Sequence, residues 1–349
     1  MMRPYGLDRL LIDAGVQVKK AIVHGTRSVL GTLDFTGIPG NYPYILTVPQ
    51  SKVENLLRDH LESYPCVHIE KGRKIVAATQ DHHAVHVSCH SSNPRSSRSY
   101  RASFLCLCEG DRGRLRETFG CVTKSHRYRN TFLMGDFTHD SGLQNDAHLY
   151  FTRHGSVESF PLPGGQRRWV VQTGHYMDEI PSGFLETQVW KRTGYGLKGA
   201  DLIWQSPFGV KKRIEKHYVQ GRVLLAGDAA HVMPPIGGQG MNTGFMDACF
   251  LAQAILRVQG HTADESTVMH YFRQYEAMRR KAAASAARRA RFSMYVGTRK
   301  HVIPSMLRNI AIQFALATPL TDVLAPFFAM LTIPYGAPEK DAHKELFGP

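Results

Sequence analysis

The spacing of hydrophobic positions changes several times along the chain, and each change predicts an element. Leu7, Leu10, Leu11 and Ala14 recur at three-to-four spacing and Gly15 closes them, which predicts a short helix. From Val16 to Val48 the pattern alternates, with β-branched and aromatic residues and a Gly-Ile-Pro-Gly-Asn break, and predicts strands and turns. A helix opens at Pro49-Gln50-Ser51, carries Val53, Leu56, Leu57, His60 and Leu61 on its inner stripe, and ends at Tyr64-Pro65. Strand-like alternation returns from Val67 to Leu107, broken by an exposed polar loop over Ser91–Ser99. The run ends in the apolar Phe104–Leu107 and a turn, Cys108-Glu109-Gly110-Asp111-Arg112-Gly113.

From Arg127 to Ile203 short strands recur at hairpin spacing, His148–Thr152 and Arg168–Gln172 among them, so this region reads as mostly antiparallel sheet. A short apolar strand, Arg222–Ala226, then runs into a glycine-rich turn and a helix from about Met241 to Arg257. The rest reads as helical: one long basic helix over Ser266–Tyr295 and one or two apolar helices over Ile303–Leu331. No internal repeat is present. The fold class predicted is α/β of the mixed α+β kind.

Composition changes this picture little. The chain has 349 residues, enough for two connected domains, and its 43% hydrophobic and 21% charged residues exclude a disordered or fibrous class. The net charge of +14 raises nucleic acid, an anionic membrane and anionic small ligands as partners. No RNP-like, zinc-finger or helix-turn-helix pattern organises the Lys and Arg residues, so no nucleic-acid partner is expected. The six cysteines form no CxxC pair and no zinc spacing, which predicts no metal and reduced, mostly buried thiols in a cytoplasmic protein. The N-terminus lacks the apolar core of a secretory signal. No apolar run is long enough to span a bilayer; the nearest, Ile310–Ile333, is broken by Pro319, Asp322 and Pro326.

The chemistry is concentrated in Gly221-Arg-Val-Leu-Leu-Ala-Gly-Asp-Ala-Ala-His-Val-Met-Pro-Pro-Ile-Gly-Gly-Gln-Gly-Met-Asn242. A buried strand delivers the chain to Gly227, where a backbone without Cβ lets a ligand come close. Asp228 at the strand end is placed to accept hydrogen bonds from sugar-type hydroxyls. Pro234-Pro235 stiffens the loop, and Gly237-Gly238-Gln239-Gly240 frees amides just before a helix, a setting that favours negative charge.

This string resembles the second FAD-binding motif of the group A flavoprotein monooxygenases, the p-hydroxybenzoate hydroxylase family of FAD-dependent aromatic hydroxylases. Three further stretches are similar in order and spacing. Val48–Glu54 resembles the helix start whose glutamine touches the flavin. Cys108–Gly113 with Arg116 resembles the Asp-Gly motif that serves FAD and NAD(P)H. Phe160–Gly165 with Arg167-Arg168-Trp169 resembles a turn and strand of the substrate-domain sheet. The resemblance covers residues 5 to 285.

Carried over, it implies that Gly227 and Asp228 bind the FAD ribityl or ribose part. It implies that Gly238, Gln239, Gly240, Met241 and Asn242 line the isoalloxazine edge, and that Gln50 touches the cofactor. Pro235 is the catalytic-site residue, its carbonyl near the substrate ring. Arg112 and Arg116 are candidates for FAD or NAD(P)H phosphate, since a guanidinium fork suits phosphate. His231 is expected to be structural. The implied fold is a partial three-layer FAD-binding domain interleaved with a mostly antiparallel substrate-domain sheet, followed by C-terminal helices. The segments expected are 1–30 (FAD-binding remnant), 31–48 (substrate-domain strands), 49–122 (FAD-binding), 123–215 (substrate-binding sheet), 216–262 (FAD-binding, Gly-Asp motif) and 263–349 (helical). Tyr150, Phe151, Phe160, Trp169 and Trp190 lie in the sheet region, where core packing accounts for each.

Two departures stand out. Glu109 occupies the place of the family's aspartate, one methylene longer, which alters its reach toward a nicotinamide. The strand–GxGxxG–helix unit that holds the FAD diphosphate is not found: Gly6, Gly15, Gly25 and Gly31 have no such spacing. The expectation is a chain that starts just after that unit as a partial product. Its supply by another chain and an abandonment of redox chemistry are the other two readings. The activity implied is hydroxylation of a phenol-like, polyketide or quinone-type small molecule with FAD, NAD(P)H and dioxygen through a flavin C4a-hydroperoxide. The alternatives are a flavin-free binding or non-redox homologue, and a basic membrane-surface protein anchored by 279–331. For that last segment, helices packed on the FAD domain or covering a homodimer surface are preferred.

Overall fold

The computed structural model describes residues 2–26, 28–91, 97–138, 142–197, 199–259 and 264–333. Before residue 110 the strands are β1 (Val16–Val18), β2 (Lys20–His24), β3 (Val29–Asp34), β4 (Ile45–Thr47), β5 (Arg73–Gln80), β6 (Val85–Ser91), β7 (Ser97–Ala102) and β8 (Leu105–Leu107). After it come β9 (His126–Phe137), β10 (Ala147–Thr152), β11 (Gly155–Pro161), β12 (Arg167–Thr173), β13 (Leu202–Ile214), β14 (Val219–Gln220), β15 (Val223–Leu225) and β16 (His231–Val232). The helices are α1 (Leu7–Asp13), α2 (Gln50–Glu62), α3 (Leu115–Thr118) and α4 (Phe184–Thr193), then α5 (Gln239–Gln259), α6 (Glu265–Gly297), α7 (Val302–Leu316) and α8 (Thr321–Phe328).

The largest sheet has eight strands in the order β16-β13-β9-β12-β11-β10-β2-β3. All its pairings are antiparallel except β10 with β2. The sheet therefore takes in residues 20–34 as well as strands of 126–214 and 231–232. A strand so close to the predicted N-terminal helix looks local in sequence, and only its parallel pairing with β10, over a hundred residues away, assigns it to the sheet. Two three-stranded sheets, β14-β15-β8 and β5-β6-β7, form the other layer, and β15 runs parallel to β8.

One face of the large sheet is closed by α4. Leu133, Phe137, Tyr150, Val157, Trp169 and Val171 pack there with Leu185 and Val189, and none of these is appreciably exposed. Tyr150 and Trp169 are thus core residues, as their packing pattern predicts, whereas Trp190 on α4 is 60% exposed. A second core lies beneath β15, where Val223, Leu224 and Leu225 meet Phe250, Leu251, Ala254, Phe272 and Tyr275 of α5 and α6. Helix α6 begins at Asp264, whose carboxylate caps it by accepting from the Thr267 amide at 2.9 Å.

Among the described residues no single helix is long and apolar enough to cross a membrane, and α7 and α8 meet at a bend of 105°. The thiols are less buried than predicted: Cys66, Cys106 and Cys108 are exposed, Cys89 and Cys121 are buried, and all are free.

Candidate functional site

Strand β15 is fully buried because it lies between β8 and β14 and under α5. The chain leaves it at Gly227, whose φ of +60° only glycine adopts without strain. Asp228 follows at the surface, while Ala229 and Ala230 turn into the core. Enclosure between neighbouring turns and the Asp111 charge push the Asp228 carboxyl above its ordinary range, against the pull of His231, Arg213 and Lys211.

Arg213 joins two of the motifs. It is buried at the end of β13. One of its terminal nitrogens donates to the Asp228 carbonyl at 2.8 Å and the other to the Asp111 carbonyl at 3.2 Å. The Asp-Gly-type turn and the Gly-Asp turn therefore lie side by side, although more than a hundred residues separate them.

The Gly227 turn rests on a buried polar hub. Asp247 of α5 accepts from the Gly227 amide at 3.0 Å, lies 2.5 Å from His231 Nε2, and accepts from Arg279 Nε of α6 at 2.7 Å. His231, Asp247 and Arg279 are all inaccessible to solvent, so His231 is structural, as expected. Helix α5 approaches so closely at Gly244 that a Cβ there would stand 3.3 Å from the Gly227 Cα.

Beyond β16 the loop turns outward. Pro234 is buried, Pro235 exposed, and Gly237 and Gly238 have φ of +80° and +64°. The Gly238 amide closes on the Pro235 carbonyl at 3.0 Å, and α5 starts at Gln239. The first-turn amides of α5, from Gln239 through Met241, have no intrahelical acceptor. Met241 and Asn242 are exposed. Asn242 donates back to the Gly238 carbonyl at 3.0 Å and meets the Met330 sulfur at 3.8 Å. Ile236 packs against the cluster of Phe132, Val210 and Met294, which Val170 and Phe208 also join from the large sheet.

These residues fit a flavin. Around Gly227 and Gly238 nothing lies within 4 Å of where a Cβ would be, so the backbone is bare on the side a ligand would take. The Gln239 side chain is buried, yet its Oε1 has no hydrogen-bond partner. An exposed carboxylate for sugar hydroxyls stands at the near end of the loop and bare amides for an electron-rich ring edge at the far end.

The remaining candidates are placed as follows. Gln50 is the exposed first residue of α2 and donates to Glu54 at 2.7 Å. Arg112 is exposed in its turn, with no partner among the described residues. Arg116 is different. It is buried, donates to the carbonyls of Gly110, Asp111 and Gly113, and pairs with Glu109 and Glu215. All of these contacts are internal, so Arg116 folds the turn and is not presented to a phosphate. Glu109 likewise looks inward. Its longer side chain reaches the first amides of α3, Leu115 at 3.1 Å and Arg116 at 3.0 Å.

Sequence reasoning missed Arg213, the Asp247–Arg279 hub and Glu158. Each had a faint signal: a charged residue at a position where strand or helix periodicity calls for an apolar one. Glu158 sits half-buried on the open face of the large sheet, and burial pushes its carboxyl up to about 7.

Residues 1–290 match the family model described as FAD binding domain. The chain belongs to the FAD-dependent aromatic hydroxylase family. It is 32% identical over 249 residues to the uncharacterized aromatic compound monooxygenase YhjG of Bacillus subtilis (strain 168), covering 69% of this chain and 49% of that protein. It is 25% identical over 257 residues to para-nitrophenol 4-monooxygenase of Pseudomonas sp. (strain WBC-3), covering 71% of this chain and 63% of that one. Among solved structures, p-nitrophenol 4-monooxygenase PnpA from Pseudomonas putida DLL-E4 superposes with a TM-score of 0.83 at 20% identity, over 96% of this chain and 86% of that one. The chain spans about half to two thirds of the length of the curated relatives it matches.

Proposed function

We propose that this chain forms the flavin-facing and substrate-facing parts of an NAD(P)H-dependent monooxygenase that hydroxylates a small aromatic compound. The observation that carries the reading is the packing of Ile236, within the Pro235–Gly238 turn, against the cluster of Phe132, Val210 and Met294, which Val170 and Phe208 of the large sheet also join. It brings a bare-backbone ligand loop to the face of the antiparallel sheet opposite α4, where in this reading the cofactor edge and the substrate meet.

In this reading Asp228 holds ribityl or ribose hydroxyls, and the α5 amides with Gly238–Asn242 hold the ring edge. Gln50 adds a contact from α2, and Pro235, whose carbonyl accepts from the Gly238 amide, stands near the substrate at the outer end of the loop. Arg112 is the exposed guanidinium open to a phosphate of FAD or NAD(P)H, while Arg116 and Arg213 keep the two turns in register. Bound FAD supplies reduction by NAD(P)H and activation of dioxygen. The protein excludes water, orients the ring and stabilises negative charge beside the amides. The names of the relatives, which include nitrophenol, pentachlorophenol and tetracycline-type monooxygenases, support an aromatic or polyketide substrate. The free thiols support a cytoplasmic setting.

The test is reconstitution. The purified chain incubated with FAD and desalted is expected to be yellow and to quench flavin fluorescence, and Asp228→Ala is expected to lose most of this. A colourless product, equal for wild type and variant, would favour a flavin-free homologue.

A further inference from the structure

Alternation along β11 sends Val157 and Ser159 to the α4 side of the sheet and Ser156, Glu158 and Phe160 to the other. Cross-strand register then aligns three rows on that second face. One row is Phe160, Arg168, Asp136 and Trp204. Its polar members close on each other, Arg168 donating to Asp136 at 2.7 and 2.9 Å and the Trp204 indole at 2.7 Å. Another runs through Phe151, Ser156, Gln172, Phe132 and Phe208, where Gln172 accepts from the Ser156 amide at 3.2 Å. Between them lies Leu149–Glu158–Val170–Met134–Ser206. Every member of this middle row is half-buried.

The row is a floor between two apolar walls. On one side Phe160 packs against the cluster that holds Ala21, Ala147 and Ala325, which Leu324 and Phe328 of α8 also join. On the other, Val170 and Phe208 pack against the cluster of Phe132, Val210 and Met294 of α6, which Ile236 of the flavin-facing loop also joins. Glu158 is therefore a carboxyl whose row neighbours Leu149 and Val170 are apolar and whose polar diagonal neighbours, Arg168 and Gln172, are bonded elsewhere, and it shares its sheet face with the cluster that the loop joins. Among the described residues it makes no hydrogen bond and no ion pair. The charged groups of the surrounding elements are engaged elsewhere. Arg168 and Asp136 hold each other, Arg308 of α7 donates to the Phe151 and Arg299 carbonyls, and Arg289 of α6 donates to Thr332. A partnerless carboxyl at a central-strand position is costly to the fold, and packing offers no compensation for it.

We propose that Glu158 is the group that receives the hydroxyl of a phenolic substrate and takes its proton. The O–H bond of the phenol breaks, its electron pair stays on the ring oxygen, and the proton passes to a carboxylate oxygen of Glu158. After product leaves, the proton goes to water. The ring becomes richer in electrons, as electrophilic hydroxylation requires. The same placement selects the substrate class. A neutral phenol is accepted, whereas a ring carrying its own carboxylate meets like charge in an apolar setting. The proposal rests on the open sheet face being the substrate site. Its support from titration is that desolvation holds the Glu158 carboxyl near neutrality, where a proton acceptor is matched to its task.

The test uses the full chain, wild type, Glu158→Gln and Glu158→Leu, with para-nitrophenol as probe, because its absorbance distinguishes bound phenol from bound phenolate. Wild type is expected to bind it, with affinity and ionisation of the bound probe changing as pH passes through neutrality. Glu158→Gln is expected to weaken binding about tenfold near neutral pH, where the carboxyl and the probe share one proton, and to flatten that pH dependence. Para-nitrobenzoate is expected to bind wild type poorly and both variants better. Failure of wild type to bind para-nitrophenol overturns the proposal, as does a Glu158→Gln protein with unchanged affinity and pH profile. Melting curves of the variants check that the fold survives; should Gln fail to fold, Leu, which matches its neighbours, provides the comparison. FAD uptake measured on the same samples separates the two ideas. Glu158-dependent phenol binding without FAD uptake would refute only the monooxygenase reading, and FAD uptake with Glu158-independent binding would refute only this one.

Discussion

Asp247 and Arg279 face each other across the α5–α6 interface, Oδ1 to Nε at 2.7 Å, and solvent reaches neither side chain. The other carboxylate oxygen of Asp247 serves the Gly227 amide and His231, so a single buried group fixes both helices to the turn that presents Asp228.

Removing that carboxylate takes from the buried Arg279 guanidinium its charge partner on α5, while its bond to the Thr243 carbonyl stays. Asp247→Ala is expected to cost about 3–5 kcal/mol of stability. Urea unfolding followed by circular dichroism would measure it, and a loss under about 1 kcal/mol would show that the hub is relaxed by entering water.

Gly238 tests the loop without touching the core. Its φ of +64° makes Gly238→Ala strained by roughly 1–2 kcal/mol, and the added methyl projects into the space left bare for the ring. The expected outcome is a folded protein, slightly less stable, whose FAD affinity measured by fluorescence quenching falls well below wild type. Equal affinity would mean that the ring does not approach this turn.

Arg213→Met removes the tie between Asp111 and Asp228 and leaves Glu215, itself buried, with Arg116 as its remaining cation. Stability is expected to drop by about 3 kcal/mol, and FAD uptake to weaken even in the fraction that stays folded. Thermal melts and FAD titration on the same samples would separate the two effects. Unchanged uptake in folded protein would mean that the turns hold their places unaided.

The acid side of the stability curve should carry the mark of His24. Its ring lies 2.9 Å from His148, and burial first, then the neighbouring imidazole, lowers its pKa from 6.5 to about 4. The folded state thus resists protonation that the unfolded chain accepts. The contribution is complete above pH 6.5 and is lost as pH falls from there toward 4. It amounts to at most about 3 kcal/mol, less what solvent screens, since the ring is only half-buried. His24→Gln is expected to flatten this limb in unfolding curves taken across that range. A limb as steep as wild type would assign the effect elsewhere.

Much of the fold was legible in the sequence because period and punctuation are local. The helix from Gln50 to Glu62, the long α6 and the strands at hairpin spacing all follow from residues close to one another in the chain. The loop of Pro235–Gly240 was legible for the same reason: consecutive glycines before a helix define bare amides wherever they are set. That β2 joins the large sheet was not legible, because strand membership depends on a partner far away in sequence, here β10. Arg112 and Arg116, four residues apart in one turn, looked alike; Glu215, from the end of a distant strand, helps draw the second inward.

The sequence by itself determined the family, the elements and the ligand loop, since each rests on backbone conformation and hydrophobic periodicity within a short window. Only the tertiary structure decided that Arg213 bridges two turns, that Asp247 anchors one of them, and that Glu158 has no partner among the described residues on its sheet face. Those properties belong to distances between strands and helices, and burial gives a charge its meaning only once such distances are set.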